Sequence, residues 1–169
     1  MAITFPFRKV PDTERAQKEY DEALRKARVD PEGAASARLH RSLVEGAAAR
    51  LLLSRIGGWQ PLFGTSAAEV ELQVIRIGDI IVCGLPGEFF ARRGRELRKA
   101  ALPKFGLIAG YAGGYWGYFV PPKEAQRGGY EAAVAPLEPE SEPEIVRAAL
   151  TLIREIKKSR RSREETSNV

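Results

Sequence analysis

Between Glu69 and Ala101 the hydrophobic period of the chain changes, and that change constrains the fold more than any other feature. Glu69-Val70-Glu71-Leu72-Gln73-Val74 alternates strictly between polar and apolar residues, the period of a strand with one face in water. Ile75-Arg76-Ile77 still alternates, but with its apolar residues on the other face. The spacing therefore predicts either a bulge near Ile75 or a far end covered on both sides. Gly78-Asp79 predicts a hairpin turn, because both residue types tolerate left-handed backbone. Ile80-Ile81-Val82-Cys83 is apolar on both faces, as a central strand is. Gly84-Leu85-Pro86-Gly87 breaks that strand. A helix is then expected from about Glu88 to Ala101, with Phe89, Leu97, Ala100 and Ala101 on its buried side and Pro103 past its end. Phe105 to Gly110 reads as another buried strand and Tyr115 to Val120 as a further one, separated by Ala112-Gly113-Gly114.

The flanks of this region are helical. Asp12 or Thr13 can cap a helix with Ala16, Tyr20, Ala23, Leu24 and Ala27 at helical spacing. Asp30-Pro31-Glu32-Gly33 is a turn. A second helix is expected over Ala34–Ile56, with Leu43, Val44, Ala47, Ala48, Leu51 and Leu52 on one stripe and Gly57-Gly58 ending it. At the other end, Ser141 and Glu144 have the spacing of a capping box, ahead of a stripe of Ile145, Ala149, Leu152 and Ile156. The expected class is α/β: a mixed sheet flanked by helices and preceded by an N-terminal helical hairpin. The expected organisation is one domain over residues 1–156, with the hairpin at 1–57, an α/β part at 68–156, and a flexible basic tail at 157–169.

Composition excludes several function classes. With 169 residues and 44% hydrophobic content, one domain can bury a sizeable core, and no apolar run has the length of a membrane span. One cysteine, Cys83, permits no intrachain disulfide, so the expected compartment is the reducing cytoplasm. One histidine, His40, excludes a zinc finger, and any Ser-His-Asp or Cys-His engine would have to be built on it. His40 sits between Arg38 and Arg41 in an alanine-rich helix, where a further cation is disfavoured, so it reads as a surface or helix-packing residue. Five basic residues after Ile156 face only Glu164 and Glu165, so much of the +5 net charge belongs to the tail. A solvated terminus explains that run as well as a nucleic-acid or anionic-lipid surface does, and no nucleic-acid partner is expected.

Two segments can carry chemistry. Gly84-Leu85-Pro86-Gly87-Glu88-Phe89-Phe90 lies just past an apolar strand, where ligands bind in open α/β sheets. Glu88 would gain from a helix N-terminus, and it is equally explained as an ordinary first-turn acid. Gly110-Tyr111-Ala112-Gly113-Gly114-Tyr115-Trp116-Gly117-Tyr118 interleaves glycines with aromatics, the pattern of a stacking surface or of a bulged strand filled by large neighbours. Arg92, Arg93, Arg95 and Arg127 could contact an acidic group or be solvated helix charges.

Taken together, Arg76-Ile77-Gly78-Asp79 through Leu85-Pro86-Gly87-Glu88-Phe89, then Gly-Tyr-Ala-Gly-Gly-Tyr-Trp-Gly-Tyr, then Gly129-Tyr130-Glu131, resemble the neutral/alkaline (non-lysosomal) ceramidase family. The three motifs occur in order with compatible spacing over roughly residues 68 to 156. The resemblance implies a zinc amidohydrolase that cleaves the N-acyl bond of ceramide, its metal held by two histidines, a glutamate and a tyrosine. It places Glu88 and Tyr115 as metal ligands, with the catalytic and substrate-binding residues unassigned. The family's two histidines lie in a preceding region with no counterpart here, Gly113 stands where the family has Asn, and Val120-Pro121 stands where many relatives have Thr-Thr.

The expectation from the resemblance is a ceramidase-like zinc amidohydrolase fragment or subunit, inactive alone and completed by a histidine-bearing partner chain. The alternative is a non-catalytic module on the same fold that self-associates into a homo-oligomer or binds a partner through its Gly/aromatic surface.

Overall fold

The computed structural model describes residues 1–28 and 34–158. The turn expected at Asp30-Pro31-Glu32-Gly33, and the basic tail from Ser159 onward, lie outside the described residues. The chain opens not on the helical hairpin but on a strand, β1 (Ala2–Pro6). Five residues are too few to announce themselves by period, and this strand is fixed by a partner more than sixty residues away. α1 (Thr13–Arg28) follows, and Asp12 is its cap: Asp12 Oδ1 accepts the Arg15 N–H at 2.8 Å.

α2 (Ala34–Ile56) runs antiparallel to α1 and stops at Gly57 and Gly58, whose φ angles of 89° and 99° suit glycine. Its buried face differs from the expected stripe. Leu53 is buried, whereas Leu43 and Leu52 are exposed. Ala47-Ala48-Ala49-Arg50-Leu51-Leu52-Leu53 is apolar nearly all round, so period alone cannot choose a face. The choice is made by tertiary contact at Gly46, where an added Cβ would lie 2.9 Å from the Cβ of Ala133.

The rest of the chain is α3 (Gln60–Phe63), β2 (Ala67–Glu71), β3 (Gln73–Ile77), β4 (Ile80–Leu85), β5 (Glu88–Phe89), α4 (Ala91–Ala101), β6 (Phe105–Gly110), β7 (Tyr118–Phe119), α5 (Pro122–Arg127), α6 (Tyr130–Val134) and α7 (Ser141–Lys158). β1 pairs antiparallel with β2. β4 lies between β3 (antiparallel) and β6 (parallel), and β5 pairs parallel with β7. A mixed sheet flanked by helices is the α/β class expected. The Gly78-Asp79 turn forms as expected, with Ile77 opposite Ile80.

α4 packs on β6, and α7 packs on β3 and β4, all on one face of the sheet. Leu72, Ile81, Cys83, Leu85, Leu97, Phe119, Ile145 and Ile153 are fully buried there, and each apolar side chain of this size contributes about 1.5–3 kcal/mol by leaving water. Within this core Glu142 is completely buried, held by Arg93.

Four expectations are corrected on this sheet. There is no bulge at Ile75 and no double cover. Ala68, Val70 and Leu72 are buried, and Val74 continues that face, while Ile75 and Ile77 point away from the helices and stay exposed. β6 is not a buried strand, because Phe105 and Leu107 are on the same open face. The strand expected over Tyr115–Val120 shrinks to Tyr118–Phe119, because Gly117 turns with φ 71° against Pro136. Helix α4 begins at Ala91, after Phe90, so Glu88 is on a strand and gains nothing from a helix dipole.

The capping box also fails to form, because the Ser141 hydroxyl donates to the Glu138 carbonyl at 2.7 Å. The two ends of the domain meet: the Arg8 N–H donates to Pro136 O at 2.9 Å, its guanidinium donates to Ala132 O at 2.7 Å, and Phe7 bridges Leu137. Among the described residues no helix is long and apolar enough to cross a membrane.

Candidate functional site

The candidate site lies where β4 ends. Pro86 stops the strand, and Gly87 lets the backbone turn close beneath the next loop. An added Cβ on Gly87 would lie 2.5 Å from Gly117 O and 2.6 Å from the Phe119 ring. Three backbone hydrogen bonds then fasten the glycine/aromatic loop to this corner, and a fourth closes the corner on itself. Ala112 N–H donates to Leu85 O at 3.0 Å, Trp116 N–H to Pro86 O at 2.9 Å, Glu88 N–H to Gly117 O at 2.9 Å, and Gly87 N–H to Leu85 O at 3.0 Å. Gly113 and Gly114, with φ of 81° and 127°, make the loop's turn. Trp116 anchors it further: its indole N–H donates to Glu69 O at 3.1 Å, and its ring packs on Phe7 and Phe63.

This stitching brings the two residues singled out by sequence into contact. The Tyr115 hydroxyl donates to Glu88 Oε1 at 2.9 Å. Two further phenols interact with the same carboxylate: Tyr118, paired beside Glu88 in the β5–β7 ladder, and Tyr111, whose ring stacks on Tyr115 at 5.3 Å. Neither was singled out as a site residue by the sequence reading. The signal was present in the Tyr-x3-Tyr-x2-Tyr spacing, which becomes informative only once the loop is known to fold over Glu88. Tyr111 has a left-handed φ of 59°, unusual for a side chain of its size.

Electrostatics at the site favour protonated phenols. Partial burial first, and the Glu88 carboxylate second, push Tyr115 up to about 12. The same two causes push Tyr118 up to about 12 and raise Tyr111. The phenols therefore serve Glu88 as hydrogen-bond donors across the neutral range. A cleft of about 260 Å³ opens beside them, lined by Leu85, Gly87, Glu88, Phe90, Ile108 and Tyr111 among others.

Against a metal, the fit is partial. A carboxylate and a phenol within hydrogen-bond distance are two oxygen donors, and a catalytic zinc takes three protein ligands. Among the described residues there is no cluster of three or more His, Cys, Asp and Glu side chains. His40 is not brought to Glu88. It is half-buried on α2, facing a separate cavity of about 370 Å³ together with Arg8, Glu19, Arg50 and Gly128. Its Nδ1 is buried with no hydrogen-bond partner among the described residues. Two of the four arginines singled out are taken up in ion pairs: Arg93 grips Glu142 and Glu96, and Arg127 pairs with Glu124.

No protein-family model matches the chain. Over an 84-residue alignment, 44% of the chain, it is 38% identical to the neutral ceramidases of Drosophila melanogaster and Drosophila pseudoobscura pseudoobscura, and it spans 11% of the length of each. Among solved structures, "Ceramidase complexed with C2" superposes with a TM-score of 0.48 and the neutral ceramidase from Pseudomonas aeruginosa with 0.47. Both are at 21% identity over 56% of this chain and 15% and 16% of theirs.

Proposed function

From the premise that this chain is a fragment of the neutral ceramidase family, we propose that it is the part of a ceramidase-like amide hydrolase that contributes Glu88 and Tyr115 to a zinc site. The remaining ligands are histidines on another polypeptide, and the chain is inactive alone. The observation that carries this reading is the 2.9 Å contact between Tyr115 and Glu88, made from segments 27 residues apart at the end of a sheet strand. When bound, zinc would polarise the amide carbonyl and lower the pKa of its water. What the chain itself does is hold a carboxylate under three phenols in a cleft, with the backbone of residues 85–88 and 112–117 fixing their positions. Tyr115 must give up its proton to act as a ligand, so binding would release protons and strengthen as pH rises.

The test is a zinc titration by calorimetry, first on the chain alone and then on the chain mixed with a histidine-bearing amino-terminal portion of a neutral ceramidase. The expected result is no tight site alone and a tight site in the mixture, lost in Glu88→Ala and weakened in Tyr115→Phe. A mixed site indifferent to both substitutions would remove Glu88 and Tyr115 from the ligand set.

A second reading rests on a different observation: Tyr111 and Tyr115 form a stacked pair that is 62% and 50% exposed. A non-catalytic binding module would use that surface directly, with Glu88 as its polar anchor, and would be indifferent to zinc.

A further inference from the structure

At the opposite end of β4 from Glu88, where α7 stops, a cavity of about 390 Å³ is lined by Arg76, Pro103, Lys104, Arg154, Lys157 and Lys158. Five of these six residues are cations, brought together from β3, the segment after α4 and the end of α7, and none of the six is an acid. Strand alternation sets Arg76 on the helix-covered face, in line with Val70, Leu72 and Val74, where the pattern calls for an apolar side chain. Its Nε donates to Gly78 O at 2.9 Å, which fixes the guanidinium at the cavity wall. The Lys157 ammonium reaches across to the end of α4, donating to Ala100 O at 2.9 Å and to Leu102 O, so the two helices are tied together there. Lys104 is paired with Asp79, whereas Arg154 and Lys158 form no ion pair with a described residue.

We propose that this cavity binds an anion carrying two phosphate groups, with Arg76 and Arg154 as forks on the phosphate oxygens and Lys157 and Lys158 as point charges beside them. With Lys104 taken up by Asp79, these four cations face the cavity without a carboxylate in its lining. Held together they repel one another, and a bound anion relieves that repulsion. Two phosphate groups carry about three to four negative charges near neutral pH, which matches the four cations, whereas a single carboxylate leaves most of them uncompensated. Planar guanidinium donors beside compact ammonium groups are the donor set that phosphate recognition uses.

A helix C-terminus attracts cations by itself, and that accounts for Lys157 and Lys158 in the last turn of α7. It does not account for Arg76, which is on a strand, or for Arg154, which precedes the last turn. Every wall of the cavity belongs to this chain, so the site needs no residue from outside it. The same donors serve a free diphosphate and a lipid headgroup bearing two phosphates, and the two sources are separated by experiment. The site stands independently of the zinc reading, since Glu88 and Tyr115 are not among its residues.

Calorimetric titration of the full chain with sodium pyrophosphate, backed by equilibrium dialysis, tests the proposal. The expected result is saturable one-site binding that weakens as salt is raised. Arg76→Ala and Arg154→Ala should each raise Kd by about tenfold or more. Arg38→Ala removes the same charge from an exposed position on α2 and should leave Kd unchanged. Circular dichroism checks that each variant folds, and Arg76→Gln asks the same question if Arg76→Ala does not. A second arm uses phosphatidylcholine vesicles containing phosphatidylinositol bisphosphate. Pyrophosphate binding with no vesicle binding supports a soluble ligand, and vesicle binding that pyrophosphate displaces supports a lipid headgroup. A wild-type chain that shows no saturable pyrophosphate binding by either method overturns the proposal. Equal weakening by Arg76→Ala and Arg38→Ala overturns it too, because overall charge rather than the cavity would then hold the anion.

Discussion

The guanidinium of Arg93 on α4 holds the fully buried carboxylate of Glu142 on α7 through two hydrogen bonds, of 2.6 and 2.9 Å. A third bond, to Glu96 at 2.8 Å, fixes the same side chain from its own helix. The pair locks together the two helices that cover the sheet. Its two members are unequal, because Arg93 reaches solvent and Glu142 does not.

That inequality sets the order of mutational effects. Arg93→Ala leaves an unpaired carboxylate in the core and should cost about 3–5 kcal/mol. Glu142→Gln keeps a hydrogen-bonding group against an arginine that still has Glu96 and water, and should cost about 1–3 kcal/mol. Urea unfolding of the two variants checks the ranking, and equal losses would mean that the burial of Glu142 is not the deciding factor.

The phenols at the site give a pH dependence. Tyr115 and Tyr118 are raised to about 12 in the folded chain, above the ordinary 10 of the unfolded one. Between these values the folded state binds more protons, so stability is full below about pH 10 and falls as pH climbs toward 12. Ultraviolet titration should show phenolate forming late in the native chain. Glu88→Gln should bring the midpoints part of the way back, burial being the larger cause.

Two glycines make opposite predictions under the same substitution. Gly87→Ala drives a methyl into Gly117 O and Phe119 and should cost about 1–3 kcal/mol by overpacking, loosening the hold of the loop on Glu88. Gly94→Ala, mid-helix in α4 with nothing within 4 Å of the new Cβ, should gain about 0.5–1 kcal/mol. Thermal unfolding reads both signs.

Cys83 lies on the core side of β4, and burial pushes its thiol up to about 11. Near neutral pH it should resist a disulfide reagent in the native chain and react at once in denaturant. Fast native labelling would show that the sheet opens beneath α7.

The sequence made the hairpin at Gly78-Asp79, the end of α2 at Gly57-Gly58 and the core of α7 legible, because each follows from local backbone freedom or a clean helical period. β1 was not legible, since Ala2–Pro6 becomes a strand only by pairing with residues 67–71. The open face of Ile75, Ile77, Phe105 and Leu107 was misread for a related reason: apolar period reports which residues could be covered, not whether a cover is present. At the site, the resemblance singled out Glu88 and Tyr115. Their contact, and the part played by Tyr111 and Tyr118, depend on a loop held by backbone hydrogen bonds that no side-chain pattern encodes.

The join between Phe7-Arg8 and residues 132–137 has a consequence for the order in which contacts close. β1 finds its ladder partner in residues 67–71, whereas the adjoining Phe7 and Arg8 close onto Leu137, Pro136 and Ala132, the last of these 124 residues from Arg8. The longer closure loses more chain entropy, so the β1–β2 ladder is expected to form before the Arg8 join. That join is therefore the later of the two to assemble, and it completes a segment whose strand is already paired.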